Sequence, residues 1–396
     1  MIDFTYYAPT EVVFGRDAQK ELAQLVKKHG GHKVLVHFGG RSAKESGLLD
    51  EVIAQLDEAE IPHVELGGVV PNPRLSKVRE GMEIVRKEGI DFLLALGGGS
   101  VIDSCKAIAY GVPYEGDVWD FFCGKATVEK ALPVGCVLTI PASGSEMSPS
   151  CVITNEETFD KQGCATPLGR CRFAIMNPER TFSLSPWQTA AGATDIMMHT
   201  MERYFSPDDD MDLTDGIAEA LVRSVKENVS KVLVNPEDYR ARAQIMWAGS
   251  LSHNGLTGCG LRRDWACHKM EHELSGLFDV THGAGLAAIW PSWARYVCPK
   301  HIARFVQFAV NVMGVNPVGR TSEETAEEGI VSMERFFRSI GMPIHLPELI
   351  GHTASPAEIR ELADRCSHGG TVTIGSLEVL GREDMEAIYT LANRGD

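Results

Sequence analysis

The sequence predicts an α/β N-terminal domain followed by an all-α C-terminal domain. Three observations carry this. Short apolar runs alternate with helix-length segments as far as about residue 180. Beyond that point nearly every segment has a helical period, and strand signals become few. Alternation of strand and helix is the mark of a parallel sheet covered on both faces, and a run of helices without strands marks a separate layer.

In order, apolar runs at 34–38, 63–66 and 92–96 read as strands, and the segments 43–59, 75–88 and 101–109 as the helices that follow them. Further strands are expected at 134–140, 151–154 and 173–176. Pro178 and Pro186 then punctuate the chain, and Ser185-Pro186-Trp187-Gln188 reads as an N-cap with proline at the first helical position. Helices are expected at 186–204, 212–233, 236–252, 264–274, 301–313 and 322–340. The boundary falls near residue 180, giving domains 1–180 and 181–396. A chain of 396 residues has room for about two to three domains.

A net charge of −16 argues against nucleic acid and anionic membrane surfaces as partners, since both select basic patches. The ten cysteines show no Cys-x-x-Cys spacing and read as reduced thiols of a cytoplasmic protein. No apolar run approaches about 18 residues, so no transmembrane helix is expected. The first residues lack the basic and apolar regions of a signal peptide.

Two motifs carry chemistry. In the second half, Asp195 and His199 stand four apart, which on a helix stacks them on one face. His268 and His272 repeat that spacing, and His282 opens Thr281-His282-Gly283-Ala284-Gly285. Asp195, His199, His268 and His282 form a candidate metal site; one Asp and three imidazoles can hold a divalent ion with a position left open for a substrate oxygen. Spacing alone leaves His268 and His272 as equivalent candidates. In the first half, Gly97-Gly98-Gly99-Ser100 lies between an apolar strand and a helix, where backbone N–H groups can meet a phosphate. A second polar loop, Thr139 to Glu146, follows a strand and could line the same crevice, and Lys161 could meet a pyrophosphate. Either half alone has an ordinary explanation, a solvated helix face or a tight turn; their conjunction points to a nucleotide-dependent metalloenzyme. After the strand at 34–38 stands Gly39-Gly40-Arg41-Ser42, with no acid to bind a free ribose 2′-hydroxyl. Its amides, hydroxyl and guanidinium suit a phosphate, which favours NADP(H).

These motifs, with Pro71-Asn72-Pro73, Asp103 and Lys106 after the glycines, Ser143-Gly144-Ser145-Glu146 and His282-Gly283, occur in the order seen in the iron-dependent (group III) alcohol dehydrogenases. The resemblance runs nearly end to end, and the Gly39–Ser42 loop looks like the NADPH-using butanol dehydrogenase and aldehyde reductase branch. It implies a Rossmann-like domain, an all-α domain in a dehydroquinate synthase-like architecture, and an active site in the cleft between them. It implies metal ligands at Asp195, His199, His268 and His282, with His272 near the nicotinamide as a catalytic residue. By the same carry-over Gly98, Gly99, Ser100 and Asp103 meet the cofactor phosphates, and Asn72, Thr139, Ser143 and Lys161 help hold the dinucleotide beside Gly39, Gly40 and Ser42. The stretch Ser148-Pro149-Ser150-Cys151 departs from the family pattern, so no substrate-pocket residues are carried over. The expected cofactors are NADP(H) and one Fe2+ or Zn2+, the substrate is a small aldehyde or primary alcohol, and the expected assembly is a homodimer.

Two rivals stand beside this reading. One is a polyol(-phosphate) dehydrogenase or dehydroquinate synthase-like lyase, with Arg262 and Arg263 as anchors for an acidic substrate. The other is a non-enzymatic nucleotide-binding sensor with a structural metal, which in so long a chain would more often use cysteine thiolates.

Overall fold

A computed structural model describes residues 1–394. The chain forms two compact units. The first comprises residues 7–184 with the short segment 249–254; the second takes residues 1–6, 185–248 and the chain from 255 onward.

In the first unit the order is β1 (Glu11–Phe14), α1 (Leu22–Lys28), β2 (Val34–Phe38), α2 (Ser42–Glu45), α3 (Leu48–Glu58), β3 (His63–Leu66), α4 (Leu75–Glu88), β4 (Phe92–Gly98), α5 (Gly99–Gly111), α6 (Trp119–Phe122), β5 (Val134–Ile140), β6 (Ser150–Asn155), β7 (Asp160–Ala165) and β8 (Phe173–Met176). Six strands make one parallel sheet in the order β1-β8-β5-β4-β2-β3. The expected helix over 43–59 is broken at Gly47, whose φ of 72° takes the chain out of the helix between α2 and α3. The strand expected at 151–154 exists, but it pairs antiparallel with β7 in a separate hairpin. Asp160-Lys-Gln-Gly-Cys-Ala165 is too polar to announce that partner.

Alternation along the central strands decides what the sheet positions. Val36, Phe38, Leu94 and Leu96 pack into one core with Leu25, Val26, Val52 and Leu56 of α1 and α3. His37, between them in sequence, faces the other way. Its ring is fully buried, with Nδ1 at 2.7 Å from the Leu66 carbonyl and Nε2 at 2.9 Å from Ser104 Oγ on α5. The helices that follow neighbouring β2 and β4 therefore leave to opposite faces. Their carboxyl ends open a crevice at the point where the winding reverses, the place where open α/β sheets take ligands.

The second unit is helical: α7 (Pro186–Tyr204), α8 (Asp212–Val234), α9 (Tyr239–His253, its last turn belonging to the first unit), α10 (Ala266–Phe278), α11 (His282–Val297), α12 (Ile302–Phe308), α13 (Ser322–Ser339), α14 (Leu346–Ile350), α15 (Pro356–Cys366) and α16 (Arg382–Ala392). At the start of α7, Ser185 and Gln188 cap each other's backbone N–H groups and Pro186 takes the first helical position. The segment 301–313 begins as α12 and closes as a π-helical turn over Ala309–Met313. Among the described residues, no helix is long and apolar enough to cross a membrane.

Phe173 is a stability test for the sheet. It is fully buried, stacks on Phe92 at 5.9 Å, and lies over Gly135, where any side chain would strike its ring. Phe173→Ala should cost about 3–5 kcal/mol, the range for emptying a packed aromatic site. Equilibrium urea unfolding followed by a first-unit probe reads this; a loss under about 1 kcal/mol would mean that the neighbours collapse into the gap.

Candidate functional site

The second unit brings Asp195, His268 and His282 to one point. Asp195 and His199 lie one turn apart on α7, a helix buried along almost its whole length. His268 comes from the first turn of α10, and His282 is the first residue of α11. Two glycines let α11 approach. A Cβ on Gly283 would land on the Ala191 carbonyl of α7, and one on Gly285 would sit 2.8 Å from Glu271 Cγ of α10. His282 Nε2 and His268 Nε2 each lie 3.7 Å from Asp195 Oδ1. His199 Nδ1 is 2.9 Å from the same oxygen but hydrogen-bonds the Asp195 carbonyl at 3.0 Å, and its ring stands 4.5 Å from that of His268.

Two carboxylates that the sequence reading passed over fix the imidazoles. Glu202 Oε1 accepts from His268 Nδ1 at 2.9 Å and from the His268 backbone N–H at 2.8 Å. Glu271 accepts from His282 Nδ1 and from Ser275 Oγ. A carboxylate can only accept, so each Nδ1 carries a proton, and Nε2 is left as the atom that faces Asp195 and can bind a cation once its own proton is lost. A signal was present: Glu202 stands three residues after His199 and seven after Asp195, on the same helix face.

The electrostatics suit a cation. Burial works to raise Asp195, yet the His199, His282 and His268 rings around it hold it well below the usual carboxylate range. Burial pushes His199 down to about 4, so its imidazole is neutral near pH 7. Burial also opposes a charge on His268, but the Asp195 and Glu202 carboxylates outweigh it and raise His268 to about 9. Among the described residues, Asp195 Oδ1 and His268 Nε2 are buried and have no hydrogen-bond partner. Orphaned buried polar atoms are costly, and a divalent ion between them would satisfy both. The donor set therefore fits a metal.

His272 lies one turn beyond His268, its ring 5.8 Å from that of His282. Glu271, His272 and His282 form a second close trio, but its Glu271 oxygens already serve His282 and Ser275. Arg262 is engaged by Asp208. Its Nε and Nη2 grip Asp208 at 3.1 and 3.0 Å, and its backbone N–H meets the same carboxylate at 2.8 Å.

In the first unit, Gly98 caps α5 and so offers no side chain to its amides; no acid stands in the first turn. That leaves a helix N-terminus open to an anion. Side chains would not fit here: a Cβ on Gly99 would collide with Ser143 Oγ, and one on Gly98 would lie 2.9 Å from Ile140 Cβ. Ser143 Oγ is itself buried with no hydrogen-bond partner among the described residues, so the cradle fits a phosphate. Thr139 lies near the carboxyl end of β5. Asn72 is buried with φ at 53°, and Lys161 is buried on β7 opposite Thr154. Gly39, Gly40, Arg41 and Lys44 line a cleft of about 470 Å3 beyond β2, with Glu65 on the same lining. Ser42 opens α2 beside it. Asp103 is engaged by the 143–150 loop and the start of β6. Its two oxygens accept from Ser145 Oγ at 2.5 Å and from the Val152 N–H at 2.9 Å.

Comparison with known proteins agrees with this geometry. Residues 9–178 match the family described as iron-containing alcohol dehydrogenase, and residues 189–392 match the C-terminal domain of the Fe-containing alcohol dehydrogenase family. The chain is 41% identical to NADH-dependent butanol dehydrogenase A of Clostridium acetobutylicum, over 98% of this chain and 99% of that protein. It is 33% identical to the NADPH-dependent aldehyde reductase YqhD of Escherichia coli, over 94% and 95% respectively. The crystal structure of NADH-dependent butanol dehydrogenase A from Thermotoga maritima superposes with a TM-score of 0.94 at 38% identity, covering 99% of each chain. A chain matched along both halves, with a buried Asp–His cluster on one unit and an open helix N-terminus on the other, belongs to the iron-containing alcohol dehydrogenase family.

Proposed function

We propose that this alcohol and aldehyde oxidoreductase acts on small primary alcohols and aldehydes with broad specificity, using NADP(H). In this proposal Asp195, His199, His268 and His282 hold one divalent ion, Fe2+ or Zn2+. The observation that carries it is the convergence of two Nε2 atoms on Asp195 Oδ1, with Asp195 Oδ1 and His268 Nε2 left orphaned. When bound, the ion supplies Lewis acidity toward the carbonyl oxygen and the nicotinamide supplies the hydride.

The chain's own part is placement. Glu202 and Glu271 keep the His268 and His282 rings turned so that Nε2 faces Asp195. The amides that open α5 and the Ser143 hydroxyl take the dinucleotide phosphates, helped by Ser100, Thr139, Asn72 and Lys161. His272 carries the proton exchanged at the alcohol oxygen, acting with water. NADP(H) is preferred because two cations, Arg41 and Lys44, line the cleft beyond β2 against the single acid Glu65. The relatives carry both cofactor names, NADH for the Clostridium enzyme and NADPH for the Escherichia coli enzyme. A cytoplasmic homodimer completes the proposal, and light scattering of the purified protein tests the dimer.

A panel of C2 to C8 aldehydes with NADPH and NADH, alongside elemental analysis, tests the whole reading. One methylene in an apolar pocket changes specificity by about 1–3 kcal/mol, so activity should vary smoothly with chain length. His199→Ala and His282→Ala should each lose the metal and the activity, because the site has no spare donor. Full metal content in both variants would remove them from the ligand set. His272→Ala should keep the metal and lower kcat by about 10²–10⁴-fold, the usual worth of a proton carrier; metal loss equal to that of His268→Ala would make it a ligand instead.

Cofactor choice has its own test. A side chain at Gly40 meets nothing within 4 Å, so Gly40→Asp fits without disturbing the loop. Its carboxylate should repel a 2′-phosphate and accept from a free 2′-hydroxyl, moving preference from NADPH toward NADH. The ratio of kcat/KM for the two cofactors reads this. An unchanged ratio in a folded variant would show that residues 39–42 do not read the 2′ position.

A further inference from the structure

The loop over residues 143–150, which carries Ser143 to the start of α5, is held by a buried ionic device that the proposed chemistry does not use. Asp103 and Lys106 stand three apart on α5 and so share a face. Lys106 is fully buried, and its ammonium donates to three backbone carbonyls, those of Ser145 at 2.6 Å, Ser148 at 3.0 Å and Ser150 at 2.8 Å. All three of its protons are spent on one loop. Asp103 adds the Ser145 hydroxyl and the Val152 N–H, where the loop runs into β6.

The last turn of α9 holds the loop from its other side. Ser250 Oγ donates to Glu146 at 2.6 Å, and His253 Nδ1 meets the Ser143 carbonyl at 2.9 Å. Gly144, at φ 63°, turns the chain where a Cβ would press within 2.8 Å of His253 Cβ. A loop caught on both sides has one place to put its hydroxyl. Ser143 Oγ accordingly lies against Gly99, at the first residue of α5. Burying an ammonium and a carboxylate is expensive, and an apolar side chain of similar size would fill the same volume at less cost. What an apolar side chain could not do is bind three carbonyls and fix the loop's conformation.

We propose that Asp103 and Lys106 are positioning residues for the dinucleotide. They set the 143–150 loop, and with it the Ser143 hydroxyl, against the N-terminus of α5, so that the phosphate cradle exists before the cofactor arrives. This rests on reading the first unit as the nicotinamide-dinucleotide domain. Asp103 then acts through Ser145 and Val152 and touches no phosphate, which its own negative charge would repel.

The experiment measures the Kd of NADPH and of NADH by quenching of tryptophan fluorescence, on protein purified with its metal. The variants are Lys106→Met, Lys106→Gln, Asp103→Asn and Ser145→Ala, with metal content and steady-state kinetics alongside. Lys106→Met should raise both Kd values about tenfold or more, since small misplacements of a positioned group carry penalties of that size. Metal content and the aldehyde KM should stay at the parent's values, and kcat at saturating cofactor should stay within about threefold. Lys106→Gln, which keeps some donors, should restore part of the affinity, a recovery that a general loss of stability would not show.

Parent-like Kd values in the folded variants overturn the proposal. So does a fall in kcat without a change in Kd. Should Lys106→Met not fold, Ser145→Ala decides, because it removes only one hydroxyl: an unchanged Kd there overturns the proposal and a raised one supports it. If the parent itself binds neither nucleotide, the reading of the first unit fails, and that result is separate from failure of the variants.

Discussion

A carboxylate buried among helices, with no lysine or arginine among the described residues paired to it, sets the terms for the second unit. Asp195 is on α7 where the helix is covered on every side. Leaving its charge uncompensated there would cost several kcal/mol. The chain answers with three imidazoles instead of a fixed cation, and imidazoles are neutral donors unless protonated. Everything nearby serves that choice. Glycines bring His282 within reach, and Glu202 and Glu271 turn the rings. The result is a cluster that draws positive charge to itself.

The first unit solves the opposite problem. A helix N-terminus left without a side-chain cap presents amides that need an acceptor. The sheet puts this end of α5 at the reversal of its winding, and the 143–150 loop walls it. An anion is the natural occupant, as a cation is of the other unit. One fold thus separates its two requirements by sign: a helix start for phosphate and a carboxylate for metal.

The centre of the parallel sheet was readable because its strands are short and buried almost throughout, and β2, β3 and β4 are each followed by a segment of helical period. Val34–Phe38 and Phe92–Gly98 are examples. What escaped the sequence reading escaped for local reasons. His282–Val297 is a helix of 16 residues, yet it carries two glycines and Pro291, which sequence rules count as breakers. Tertiary packing overrides them, since the glycines are needed for contact with α7 and α10. The Asp160–Ala165 strand is polar because its hairpin is partly exposed. At the candidate site, His199, His268 and His272 declare themselves by helical spacing and His282 by the Thr-His-Gly-Ala-Gly motif, while Glu202 and Glu271 look like ordinary acids until their hydrogen bonds are seen. The family resemblance places Asp103 with the phosphate residues; the fold adds that its carboxylate accepts from Ser145 Oγ and the Val152 N–H, partners that spacing does not announce.

The approach of α11 to α7 at Gly283 has a consequence for how this protein can change over time. The neighbour there is the backbone oxygen of Ala191, which belongs to every amino acid and cannot be trimmed by a second substitution. Most crowded positions in a core can drift, because a larger residue on one side is offset by a smaller one on the other. Gly283 has no such counterpart. The smallest step available, one methyl group, would already have to push two helices apart and carry His282 away from Asp195. The position is therefore an isolated point in sequence space, held in place by atoms that are not there.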